Sequence, residues 1–90
     1  MTKTIKITIT GKVQGVGYRK FSKANADTLG ITGTSKNLAD GSVEIYAQGE
    51  QAPLDTFLDL LKTGPQRANV NDLKCEAIAG KHFSHFEILE

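Results

Sequence analysis

A two-layer α+β domain, with two helices against one face of an antiparallel sheet, is the fold class this sequence predicts. Three observations carry it. The first residues alternate with period two, two later windows repeat apolar residues at helical spacing, and glycine-centred breaks separate the periods.

From Lys3 to Lys12 the isoleucines Ile5, Ile7 and Ile9 fall on one face and Lys6, Thr8 and Thr10 on the other. Alternation of β-branched and polar residues predicts a half-buried strand. A glycine-rich turn, Gly11 to Gly17, follows. From Tyr18 to Leu29 the period becomes helical, with Tyr18, Ser22, Ala26 and Leu29 on one face and Phe21 and Asn25 beside it. Gly30, just past the last periodic residue, is placed as a helix C-cap. Ile31 to Asn37 is predicted as a second strand, weakened by Gly33 and Ser35. Asp40-Gly41 supplies hairpin turn chemistry. Val43, Ile45 and Ala47 then alternate with Glu44, Tyr46 and Gln48 in a third strand that Gly49 ends.

A second helix is predicted where Leu54, Phe57, Leu58 and Leu61 stand at i, i+3, i+4 and i+7, with Pro53 near its start and Gly64-Pro65 at its end. Val70 to about Ala79 reads as a fourth strand, with Leu73, Cys75 and Ala77 sharing a face. Phe86 and Ile88 make a short last one. The order β-α-β-β-α-β, plus a closing strand, is the ferredoxin-like split βαβ plan. The 90 residues are read as a single domain without linker, repeat or low-complexity segment. This plan hosts many unrelated activities, so function has to be argued from a site.

Eleven basic residues against ten acidic ones leave a net charge of +1. That balance argues against a general nucleic-acid binder, which carries a strong basic excess. The charges are nevertheless uneven. Lys3, Lys6, Lys12, Arg19, Lys20 and Lys23 all precede the first acid, Asp27. Such a front end supplies either a local field for an anion or merely solvated faces. Cys75 is the only cysteine, which excludes an internal disulfide and suits a reducing compartment. The N-terminus has no long apolar stretch, so neither a signal peptide nor a membrane span is predicted, and the expected location is cytoplasmic.

The turn before the first helix is where chemistry concentrates. Gly15 and Gly17 lack Cβ atoms, so successive N–H groups can converge on an anion beside a helix N-terminus. Arg19 stands in the first helical turn. Its charge is unfavourable for the helix there, but its planar fork suits phosphate or carboxylate. The plainer alternative is a glycine-rich turn followed by a surface arginine. No G-x-x-x-x-G-K-[ST] or G-x-G-x-x-G pattern occurs, which excludes a Walker site and a dinucleotide fingerprint.

Gly11-Lys12-Val13-Gln14-Gly15-Val16-Gly17-Tyr18-Arg19 resembles the signature loop of the acylphosphatase family, G-x-V-Q-G-V-x-[FY]-R. Further blocks agree along nearly the whole chain: Leu29-Gly30, Gly33, Asn37, Asp40-Gly41-x-Val43-Glu44, Gly49, Gly64-Pro65 and Phe86-Glu87-Ile88. The resemblance implies hydrolysis of acyl phosphates to a carboxylate and phosphate. It implies Arg19 and Asn37 as catalytic residues, and a phosphate cradle on the backbone of Gly15, Val16, Gly17, Tyr18 and Arg19. It also implies no metal, no cofactor and no covalent intermediate. The expected partner is a small-molecule acyl phosphate, with neither nucleic acid nor membrane, and the expected state is a monomer. Thr34, Ser35 and Leu38 depart from the family pattern. They bear on the stability of the second strand and on the rim of the site, not on a catalytic group.

The residue chemistry agrees with these roles. An asparagine amide both donates and accepts but does not titrate, so it positions water rather than deprotonating it. A strand end before Asp40-Gly41 is also a natural place for a purely structural asparagine. A competing function is a binding module that holds phosphate without turnover, which would have no use for a water-positioning asparagine. A nucleic-acid binder on the sheet face is disfavoured by Thr8 and Thr10 where stacking aromatics would be needed. His82 and His85, read on a strand, would point to opposite faces and not share a metal. Cys75 is expected to be a small core residue, and Tyr18 to anchor the first helix.

Overall fold

The computed structural model describes residues 1–90. Its elements are β1 (Lys3–Lys12), α1 (Tyr18–Leu29), β2 (Thr32–Asn37), β3 (Val43–Gly49), α2 (Gln51–Thr63), β4 (Asn69–Ile78) and β5 (Phe86–Leu89). The five strands form one sheet in the order β4-β1-β3-β2-β5. The element order and the helix faces agree with the sequence reading. Tyr18, Ser22 and Ala26 are buried from α1, and Leu54, Phe57 and Leu61 from α2. These meet Ile7 and Ile9 of β1 and Val43, Ile45 and Ala47 of β3 in one hydrophobic core. Phe57 meets Phe86 edge-on, ring centres 6.1 Å apart.

One strand pair departs from the antiparallel expectation. β5 runs parallel to β2, with Gly33 opposite Phe86 and Lys36 opposite Leu89. The reason is the connection. β4 occupies one edge of the sheet, and its end at Ile78 lies beside Thr4. The chain then crosses the end of the sheet to the free edge at β2. It enters there at the β2 start, so it must run in the same direction as β2. The sheet is therefore mixed.

Gly33, which weakened the reading of β2, is what lets β2 pair. Its φ is +150°, and a Cβ there would collide with the Tyr46 carbonyl of β3. Its N–H is donated to His85 O at 3.0 Å, where β5 begins. A glycine in a strand here marks close backbone approach rather than a break.

Cys75 is exposed, contrary to the core role expected of it. It lies opposite the buried Ile7 in register, so its face was read correctly. β4 is an edge strand, however, and most of it is exposed beyond the cover of the helices. Partial desolvation and the neighbouring Glu76 carboxylate push the Cys75 thiol up, away from nucleophilic character.

Candidate active site

The cleft expected from the loop opens at the end of the sheet where β1, β2 and β5 finish. Its volume is about 460 Å³. The loop between β1 and α1 reaches it in an in-and-out pattern. Val13 and Val16 are buried in the core, while Gly15 and Gly17 face outward with φ of +73° and +80°. These left-handed conformations turn the backbone twice within three residues, which glycine allows without strain. Gly17 is the N-cap of α1 and supplies no side chain to it, and the first turn of the helix holds no acid. The leading amides of α1 thus have no capping side chain from the chain itself.

Gly15, Gly17, Tyr18 and Arg19 line the cleft, and Asn37 comes in from the end of β2. Val16 does not line it, because its side chain is turned into the core. Arg19 is half-buried. Its Nη1 donates to Leu89 O at 2.9 Å and lies 4.0 Å from the Glu90 carboxylate. The hydrogen bond orients the guanidinium. Glu90 is almost fully exposed, so its pairing with Arg19 is worth little. Asn37 Oδ1 is buried and accepts no hydrogen bond. An unpartnered buried acceptor costs stability, and such an atom beside a cleft calls for a function.

Tyr18 anchors α1 as expected. Its hydroxyl donates to Leu61 O at 2.6 Å, one of the last carbonyls of α2, which lack helical partners. Burial pushes its phenol well above the ordinary value, so the group stays protonated. Lys20 also borders the cleft. Lys23 stays partly exposed and bonds Asp27 Oδ2 at 2.9 Å and Phe86 O at 3.1 Å.

Sequence reasoning missed two contributors. The β5 end supplies Ile88, Glu90 and the Leu89 carbonyl, and no residue type in that segment announces this. Gln14 was noted only as part of the loop, yet its Nε2 donates to Leu38 O at 2.8 Å and Ser42 O at 2.9 Å. The histidines take no part. His82 and His85 precede β5 in a loop rather than a strand, both are exposed, and His85 pairs with Glu87 at 2.6 Å.

The outer face of the sheet carries one aromatic on its central strand, β3. Tyr46 faces outward on β3, but Phe83 stacks on it at 6.0 Å and Lys81 Nζ lies 4.6 Å from its ring centre.

The family model for acylphosphatase matches residues 5–88. An acylphosphatase of Archaeoglobus fulgidus is 43% identical over 84 residues, which is 93% of this chain and 94% of that one. Among solved structures, the acylphosphatase of Coxiella burnetii superposes with a TM-score of 0.94 at 35% identity, covering 98% of this chain and 93% of its own. That of Bacillus subtilis gives 0.94 at 33% identity and covers both chains completely. Sequence and architecture agree from end to end, and this chain belongs to the acylphosphatase family.

Proposed function

We propose that the cleft at the start of α1 hydrolyses acyl phosphates, with Arg19 and Asn37 as its catalytic residues. The observation that carries this reading is the buried, unpartnered Oδ1 of Asn37 on the same cleft as Arg19 and the glycine loop. The backbone N–H groups from Gly15 to Arg19 and the Arg19 fork take the phosphoryl oxygens. Donors fixed in advance stabilise charge as it redistributes in the transition state. The Asn37 carboxamide, which lines the cleft, holds a water by hydrogen bonding and aims the water's lone pair at phosphorus. The new P–O bond forms as the P–O bond to the acyl group breaks. The carboxylate leaves with the bonding electron pair, and the water proton passes to a phosphoryl oxygen. A carboxylate is a good leaving group and needs no general acid, so positioning and electrostatics suffice. No metal or cofactor has a part in these steps.

We take the 90 residues to work as one domain and as a monomer on small-molecule acyl phosphates in the cytoplasm. A lone cysteine suits a reducing compartment. Near-neutral charge and the covering of Tyr46 by Phe83 speak against nucleic acid as a partner. No helix is long and apolar enough to cross a membrane.

The test pairs two measurements on Asn37→Ala. Steady-state kinetics on a simple aromatic acyl phosphate should show kcat lowered about a hundredfold, which corresponds to about 3 kcal/mol in the transition state. Calorimetry should show inorganic phosphate binding within about threefold of wild type, because the loop and Arg19 remain. Equal losses in both would make Asn37 a binding group and remove its role in orienting water.

A further inference from the structure

We infer that Gln14 is a positioning residue for this reaction: its carboxamide holds Asn37 in register with the phosphate loop. The inference rests on the role proposed above for Asn37, and it arises from the sheet topology. The loop follows β1, and Asn37 ends β2, but β1 and β2 are not neighbours. β3 lies between them, so the two walls of the cleft stand roughly 10 Å apart in the sheet and share no ladder. Gln14 spans that gap. It is half-buried, and it directs both amide hydrogens at main-chain carbonyls, Leu38 O at 2.8 Å and Ser42 O at 2.9 Å.

Those two carbonyls belong to a turn that is rigid in its own right. Leu38 N donates to Ser42 O at 2.9 Å, and Gly41 N donates to Leu38 O at 3.1 Å. Asp40 Oδ1 accepts from Ser42 N at 2.9 Å and from the Ser42 hydroxyl at 2.5 Å. Leu38 follows Asn37 directly, so holding its carbonyl fixes the backbone from which the Asn37 side chain projects. On the other side Gln14 is bonded through the chain to Gly15, the first residue of the cradle. A shift of about 1 Å between water and phosphorus is enough to cost a large factor in rate.

The chemistry selects glutamine. Both acceptors are carbonyl oxygens, so the group must give two hydrogens and carry no negative charge beside an anionic substrate. Glutamate has the same shape and can give none. Asparagine has the same amide but is one methylene short.

A double-mutant cycle tests this. Wild type, Gln14→Met, Asn37→Ala and the double variant are compared for kcat on an aromatic acyl phosphate and for affinity toward inorganic phosphate. Gln14→Met should lower kcat about tenfold and leave phosphate affinity within about threefold, since the cradle itself is intact. In the Asn37→Ala background the same change should alter kcat less than about twofold, because two residues acting as a unit are not additive. Gln14→Glu should lose at least as much as Gln14→Met. If Gln14→Met does not fold, Gln14→Asn is measured in the same cycle.

The inference is overturned by wild-type kcat in the folded Gln14 variant, by an equal loss with and without Asn37, or by phosphate affinity falling as far as kcat. Asn37→Ala with full activity would overturn the mechanism and this inference together. An inert Asn37→Ala beside a fully active Gln14 variant would overturn only the latter.

Discussion

Each end of the sheet has a half-buried glutamine that ties separate strands together, yet the two ends are built differently. At the far end Gln48 Nε2 donates to Thr4 Oγ1 at 2.7 Å and Lys81 O at 2.9 Å, and its Oε1 accepts from Phe83 N at 3.2 Å. Every polar atom of that side chain is used, and the segment before β5 is drawn over the sheet. At the cleft end Gln14 gives both hydrogens to main-chain carbonyls, but the groups around it are left unmatched. Asn37 Oδ1 has no partner, α1 starts without a capping side chain, and Arg19 sits where its charge opposes the helix dipole. Of two ends closed by the same residue type, the far one has its glutamine fully bonded. The one at the cleft, where the catalytic residues are proposed, holds unsatisfied groups in place.

The contrast is broken most sharply at Arg19. Arg19→Ala should lower kcat/KM at least a thousandfold, about 4 kcal/mol, while the denaturation midpoint barely moves. Arg19→Lys should recover little, since a point charge does not reproduce a planar fork. Kinetics and urea melts on both variants check this, and a variant with near-normal turnover would mean that the unmatched groups serve only structure.

The opposite pattern is expected at the far end. Gln48→Ala removes three hydrogen bonds and should cost about 2 kcal/mol of stability, with kcat within about twofold of wild type at a temperature where the protein is folded. A fall in kcat without a loss of stability would show that the two ends are coupled.

The smallest effect is expected midway, in β2. Ser35 is fully buried and its hydroxyl has no partner, and unlike Asn37 it faces no cleft. Ser35→Ala should therefore be neutral or stabilising by up to about 1 kcal/mol and leave kinetics unchanged. A destabilised or slowed variant would show that its hydroxyl has a partner in solution and would blur the distinction drawn at Asn37.

The parts that were legible from the sequence are those set by local period and local turn chemistry. Ile7 and Ile9, the buried faces of both helices, Gly30 as a C-cap and the Asp40-Gly41 turn all follow from residues close in the chain. The resemblance singled out Arg19, Asn37 and a cradle from Gly15 to Arg19, and of these all but Val16 line one cleft. What was not legible depends on which strand lies at which edge. The parallel pairing of β5 follows from where its connection can cross, and the exposure of Cys75 from β4 being outermost. The clasp of Gln14 was hidden because its acceptors are carbonyls 24 and 28 residues away, and every residue type has a carbonyl.

The placement of β1 in the middle of the sheet also sets how the chain acquires its structure. Thr4 is opposite Gln48 on one side and Ile78 on the other, and Gly33 waits for Phe86. Only β2 and β3 form a local hairpin, with Asn37 opposite Val43. Distant segments must close large loops before most pairings return any energy, which puts such a topology at the slow end of two-state folding, milliseconds to seconds. During that interval unpaired strands meet other chains as readily as their own. β4 completes the far side of β1, and it presents Asp72, Lys74 and Glu76 along an exposed edge. Charges on an edge strand discourage pairing between molecules. The charged edge thus protects a chain whose central strand is slow to find its neighbours.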